Sequence, residues 1–63
     1  MVFHLKQIRE VKNISIRQLA KLSGVGKASI ERIEANKVDP RLGTLWALAK
    51  ALDVDVWELL GCG

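Results

Sequence analysis

With 63 residues, the chain is near the lower limit for unaided folding, because a domain of this size buries only about 60% of the surface its unfolded form exposes. A hydrophobic content of 49% with a net charge of +3 excludes a disordered tail, and no apolar run reaches the roughly 18 residues of a membrane span. One cysteine and one histidine exclude a disulfide framework and a metal site, and no nucleophile stands beside a base, so neither catalysis nor a cofactor is expected.

The chain reads as one domain over residues 1–63, an all-α bundle of five short helices. Leu5, Ile8 and Val11 form the inward stripe of a first helix, with Val2 and Phe3 near its start, and Asn13 ends it. Ser15 followed by Gln18 is a capping box, which starts a second helix at about Ile16. This helix runs to Ser23, with Leu19, Ala20 and Leu22 inward and Arg17 and Lys21 outside. Gly24 supplies the left-handed conformation that closes it, and Val25 plugs the turn.

A third helix is expected from Lys27 to Ala35, so helix, tight turn and helix occupy about residues 16–35. With Ile30 and Ile33 inward, a rotation of about 100° per residue places Ala28, Glu31, Arg32 and Ala35 on the opposite face, with Lys27 near the first turn. Pro40 keeps the following loop extended. Leu45, Leu48, Ala49 and Leu52 then make the stripe of a fourth helix, whose start is weakened by Gly43. Asp55 and Glu58 suggest a second capping box, opening a short fifth helix with Val56, Leu59 and Leu60 inward.

Charge is unevenly spread. Residues 1–41 carry a net +5, from nine Lys or Arg against four acids, and residues 42–63 a net −2. The positive part therefore carries the helix pair, as contact with phosphates requires. A small side chain beside cationic ones on the outer face of a short helix suits close approach to base edges in a major groove, although a solvated surface looks similar. Trp46, Trp57 and Leu60 offer more apolar surface than so small a core needs. They read either as a dimer interface or as rings lying over the core of the monomer.

The run ISIRQLAKLSGVGKASIERIEANKVDP, with Leu5 to Arg9 before it and LGTLWALAKALDVDVWELL after it, resembles the helix-turn-helix domain of the phage repressor and Cro class, the xenobiotic response element family. The combination of Leu19-Ala20, Gly24-Val25, Ile30, Ile33-Glu34, Asn36-Lys37, Pro40, Leu45 and Leu48-Ala49 carries the likeness. It implies a lambda-repressor-like fold in which Lys27, Ala28, Ser29 and Arg32 occupy the base-contacting positions. The loop after the third helix would track phosphates through Asn36, Lys37 and Arg41, with Arg17 as a further phosphate contact. Arg9 and Glu34 match a structural ion pair of the family, the rival reading being that Arg9 reaches a phosphate.

Two departures stand out: Ile16 replaces a usual glutamine, and Gly26 a usual Ser or Thr cap. Glu31 reads either as an acceptor from cytosine or as a partner of Lys27. Cys62, between Gly61 and Gly63, is an incidental thiol or an intermolecular one. The resemblance implies a cytoplasmic, dimeric, double-stranded DNA-binding transcriptional regulator, a repressor by preference, reading the major groove with the helix at about 27–35. The alternative is a protein-interaction module, such as an antitoxin gripping a partner through its C-terminal helices.

Overall fold

Short capping signals divide the chain before any long-range packing is considered. In the computed structural model, which describes residues 4–60, the helices are α1 (Leu5–Val11), α2 (Ile16–Ser23), α3 (Lys27–Glu34), α4 (Leu42–Leu52) and α5 (Val56–Leu60), with no strand among the described residues. Val2 and Phe3, expected near the start of the first helix, and Cys62 with its flanking Gly61 and Gly63 lie outside those residues.

The capping box of α2 is formed on both sides. Ser15 Oγ accepts from the Gln18 N–H at 3.1 Å, and Gln18 Oε1 accepts from the Ser15 N–H at 2.9 Å. At the other end Gly24 takes φ 77°, and its N–H donates to the Ala20 carbonyl at 2.9 Å. Ser23 ties the turn down further: its hydroxyl donates to the Leu19 carbonyl at 2.7 Å and accepts from the Val25 N–H at 3.1 Å.

Three other helices close without glycine. Asn13, Asn36 and Asp53 each stand in the left-handed region, at φ 57°, 58° and 58°. In each case the next residue's N–H reaches back five positions: Ile14 to Arg9, Lys37 to Arg32, and Val54 to Ala49, all at 3.0 Å. These are Schellman closures, which satisfy the last carbonyls of α1, α3 and α4 and turn the chain sharply toward the next element. The beginning of the chain is clipped to its far end by the His4 N–H, which donates to the Leu59 carbonyl at 2.9 Å.

The core is built from all five helices: Leu5, Leu19, Ile30, Ile33, Leu45, Leu48, Ala49, Leu52 and Leu59 are buried. Ile8, Ile14, Ile16, Ala20, Val25, Val54, Val56 and Leu60 pack around them. The second helix is the hub, packed against both α3 and α4, with α1 against α3 and α5 against α4.

Four expectations need correction. Val11 and Leu22 are not inward; they are 81% and 62% exposed. Rotation explains both, since each lies about 110° from the centre of its helix's buried arc, set by Leu5, Ile8 and Arg9 on α1 and by Ile16, Leu19, Ala20 and Ser23 on α2. The third helix ends at Glu34, with Ala35 as its cap, because the Schellman closure at Asn36 begins there. The second capping box is not formed through side chains; α5 opens with only the Glu58 N–H on the Asp55 carbonyl, at 3.0 Å.

Candidate nucleic-acid interface

The outer face of α3 is set by what its inner face buries. Ile30 is fully buried and Ile33 nearly so, which leaves Lys27, Ala28, Ser29, Glu31 and Arg32 exposed, together with Ala35 just beyond the helix. Ala28, Glu31, Arg32, Ala35 and Lys37 line one shallow hollow on this face. The Arg32 side chain makes no hydrogen bond or ion pair to any described residue, which leaves its guanidinium donors free on this exposed face. Lys27 Nζ stands 4.0 Å from Glu31 Oε1, with the two side chains 62% and 53% exposed. At that exposure the contact is worth only a few tenths of a kcal/mol, and it has the less favourable order, with the cation N-terminal to the acid.

The start of α3 lacks a side-chain cap. Gly26 takes an extended conformation there, φ −61° and ψ 143°. Its carbonyl accepts the first intrahelical bond, from the Ile30 N–H at 3.0 Å, so the N–H groups of residues 27–29 face outward beside Lys27.

The end of α3 is held firmly instead. Arg9 Nε donates to Glu34 Oε2 at 2.8 Å, and Arg9 Nη2 to Glu34 Oε1 at 3.2 Å, a forked pair with side chains only 11% and 8% exposed. A third donor, Nη1, reaches the Ile14 carbonyl at 2.9 Å. One guanidinium therefore joins α1, the α1–α2 turn and α3. Its hydrogen bond to Glu34 raises the Arg9 pKa above the ordinary arginine value; partial burial works the other way, and the charges of Glu34 and Glu10 add to the rise. Three of the five guanidinium N–H donors of Arg9 are thus committed to Glu34 and Ile14, as the structural ion pair requires.

Arg17, Asn36, Lys37 and Arg41 are exposed, and their side chains make no hydrogen bond or ion pair with described residues. Asn36 and Lys37 follow α3 directly, fixed by the closure of that helix, and Arg41 is the extended N-cap of α4 without a side-chain cap of its own. Ile16 is half-buried and packed on the core, so the position where a glutamine was anticipated serves packing.

Lys6 is not among the positions that the resemblance marks. It lines a second hollow with Ile16, Glu31, Glu34 and Ala35, which puts another exposed cation beside α3. The signal for it was its spacing of three from Arg9, which places both side chains toward α3 once Arg9 is paired with Glu34.

Away from this face, Leu42, Trp46 and Trp57 are 66%, 60% and 67% exposed. They line a cleft with Asp55, Val56 and Leu60. Both rings are mostly exposed at the edge of the core rather than buried in it. Among the described residues no cluster of His, Cys, Asp and Glu has the geometry to hold a metal, and no helix is long and apolar enough to cross a membrane.

Comparison with known proteins places this geometry. The chain is 42% identical over 50 residues to the HTH-type transcriptional regulator SutR of Escherichia coli, covering 79% of this chain and 28% of that protein. It is 37% identical over 57 residues to the control protein C.SmaI of Serratia marcescens, covering 90% of this chain and 68% of the relative. Among solved structures, an HTH_3 family transcriptional regulator from Vibrio cholerae superposes with a TM-score of 0.86 at 30% identity, over 94% of this chain and 33% of that one. The restriction-modification controller protein C.AhdI from Aeromonas hydrophila superposes with a TM-score of 0.84 at 31% identity, over 87% and 83%. The chain thus spans about a quarter of the length of some of its relatives and most of the length of others. Residues 5–59, from the first turn of α1 to the buried Leu59, match the helix-turn-helix family HTH_3, and the chain belongs to that family.

Proposed function

We propose that the protein is a sequence-reading regulator of transcription that binds double-stranded DNA with α3 in the major groove. One observation carries the reading: α3 presents unpaired Arg32 beside small Ala28 on a face backed by buried Ile30 and Ile33, with exposed cations around it. Arg32 suits the O6 and N7 of guanine, and Ala28 suits a thymine methyl. Lys27 and Ser29 flank them, while Arg17, Asn36, Lys37 and Arg41 supply phosphate contacts that set position without reading sequence. The relatives named as transcriptional regulators and controller proteins support the same reading. Binding that occludes a promoter makes the regulator a repressor, and the activity is non-enzymatic and cytoplasmic.

The apolar cleft of Leu42, Trp46, Trp57 and Leu60 supports a homodimer. Two tryptophans and a leucine left mostly exposed on one side suit an isologous contact, in which each ring meets the partner's copy of the same surface. Two copies of α3 then meet half-sites about 34–36 Å apart, one turn of DNA. The same surface supports a second reading, a protein partner gripped by α4 and α5, which a monomeric chain in solution would favour.

The test is selection of duplexes from a random pool at about 100 mM salt, where loose electrostatic binding is already weakened. A two-fold symmetric site is expected. With three cationic phosphate contacts per subunit, Arg17, Lys37 and Arg41, log affinity should fall against log salt with a slope of about −5. Arg32→Ala should relax the preference for one guanine per half-site and leave the fold intact. If wild type enriches no sequence, the DNA-reading assignment is wrong.

A further inference from the structure

We infer that Glu31 is a specificity-determining residue, which accepts a hydrogen bond from the exocyclic amino group of cytosine in the chosen site and repels DNA that lacks one there. The inference rests on α3 being the reading helix and assigns a role to the acid on its outer face. The two glutamates of α3 have opposite fates. Glu34 is 8% exposed and forked onto Arg9, whereas Glu31 is 53% exposed with only the 4.0 Å approach of Lys27 Nζ. Small residues stand one turn to either side of it, Ala28 and Ala35, and the one long neighbour a turn away on this face, Lys27, is a flexible and mostly exposed chain. Glu31 also borders both hollows on this side of the molecule, one with Arg32 and Lys37 and the other with Lys6, Ile16 and Glu34. It is thus an acid set among Lys6, Lys27, Arg32 and Lys37, where a phosphate-binding surface alone would gain from having none.

Desolvation supplies the mechanism. A carboxylate carried into the groove loses water and meets base edges that are mostly acceptors, with which it cannot bond. The major groove offers it amino donors only, the cytosine N4 being the usual partner of Glu. Where cytosine stands opposite, the lost water is replaced by a hydrogen bond to an ionised acceptor. Where guanine or thymine stands opposite, neither of which offers a donor in the major groove, the charge remains unpaired and the complex is weaker. Arg32 follows Glu31 directly, about 100° round the helix, so the two side chains read neighbouring base pairs, one as donor and one as acceptor.

Duplex selection with wild type, Glu31→Ala and Arg32→Ala, followed by affinities for the selected and a scrambled duplex at fixed salt, tests this. For Glu31→Ala we expect the guanine opposite Arg32 to be retained and cytosine to be lost at one neighbouring base pair. The ratio of selected to scrambled affinity should fall about tenfold, chiefly because the scrambled duplex binds more tightly. If Glu31→Ala recovers the wild-type site with an unchanged ratio, or tightens both duplexes equally, Glu31 reads nothing. A changed site with Arg32→Ala beside an unchanged one with Glu31→Ala refutes the role of Glu31 alone. An unchanged site with both removes α3 as the reading helix and this inference with it.

Discussion

Replacing Glu34 by Ala leaves the Arg9 guanidinium, 11% exposed, with only the Ile14 carbonyl as a partner. Two charge-assisted bonds are lost, at 2.8 and 3.2 Å, and a mostly buried charge stays behind uncompensated. Breaking such a pair costs about 3–5 kcal/mol. A chain of 63 residues has a total stability of about 3–9 kcal/mol, so the single change consumes most of it. At about 4–8 °C per kcal/mol the midpoint of thermal unfolding should fall by at least about 12 °C, as read by far-UV circular dichroism at fixed protein concentration. The double replacement of Arg9 by Met and Glu34 by Leu removes both charges together, and should be more stable than Glu34→Ala alone despite touching more atoms. A fall of less than about 3 °C for Glu34→Ala, or a double variant no more stable than Glu34→Ala, would refute the claim that this pair fastens α3.

Two glycines with equally open surroundings should respond to alanine with opposite sign. A Cβ at Gly24 or at Gly43 meets nothing within 4 Å, but Gly24 stands at φ 77° whereas Gly43 is in the first turn of α4. Gly24→Ala should therefore destabilise by about 1–2 kcal/mol and Gly43→Ala stabilise by about 0.5–1 kcal/mol, both measured by denaturant unfolding. Gly26→Ser puts a capping hydroxyl at the start of α3, where the added Cβ meets only Ser29 Oγ at an ordinary 3.8 Å, so a gain of a few tenths of a kcal/mol is expected in the same assay. Trp46→Gln with Trp57→Gln should leave the monomer's helix content unchanged, because both rings are mostly exposed, and should weaken the proposed dimer at least about 30-fold in sedimentation equilibrium.

Most of the fold was legible because its signals are local. Ser15 with Gln18, Gly24 and Asn13 mark their boundaries through one or two hydrogen bonds each, and Ile30, Ile33, Leu45, Leu48 and Leu52 repeat at helical spacing. Two of the misses share a geometric cause. Val11 and Leu22 are apolar, and each lies about 110° from the centre of its helix's buried arc, on a side left mostly exposed. Composition marks such a residue as apolar, but only the arrangement of neighbouring helices decides whether it is covered. The left-handed closures at Asn36 and Asp53 escaped for a different reason: Asn and Asp tolerate that conformation without demanding it. At the candidate interface the outer face of α3 followed from periodicity, whereas the position of Lys6 beside it depends on how α1 crosses α3.

Anchoring along α3 is uneven, and that bears on how the helix can read DNA. Its last turn is fixed by buried Ile33, by the fork of Arg9 on Glu34, and by the Schellman closure that carries the chain into Asn36 and Lys37. Its first turn is held by buried Ile30 and the Gly26 carbonyl, with no capping side chain, and it carries Lys27 and Ala28 ahead of that anchor. Arg32 lies on the held side and Glu31 just before it. A bidentate contact to guanine needs a guanidinium placed to within a fraction of an ångström, and rigid support near Arg32 supplies that. Lys27 has a flexible chain and a point charge, which tolerate a moving backbone and can follow a phosphate or a base. The division predicts that Gly26→Ser, which tightens the first turn, should sharpen selection at the bases opposite Lys27 and Ala28 while leaving the guanine opposite Arg32 unchanged. Equal sharpening at all positions in duplex selection would show that α3 moves as one rigid piece, and the inferred difference between its two ends would be wrong.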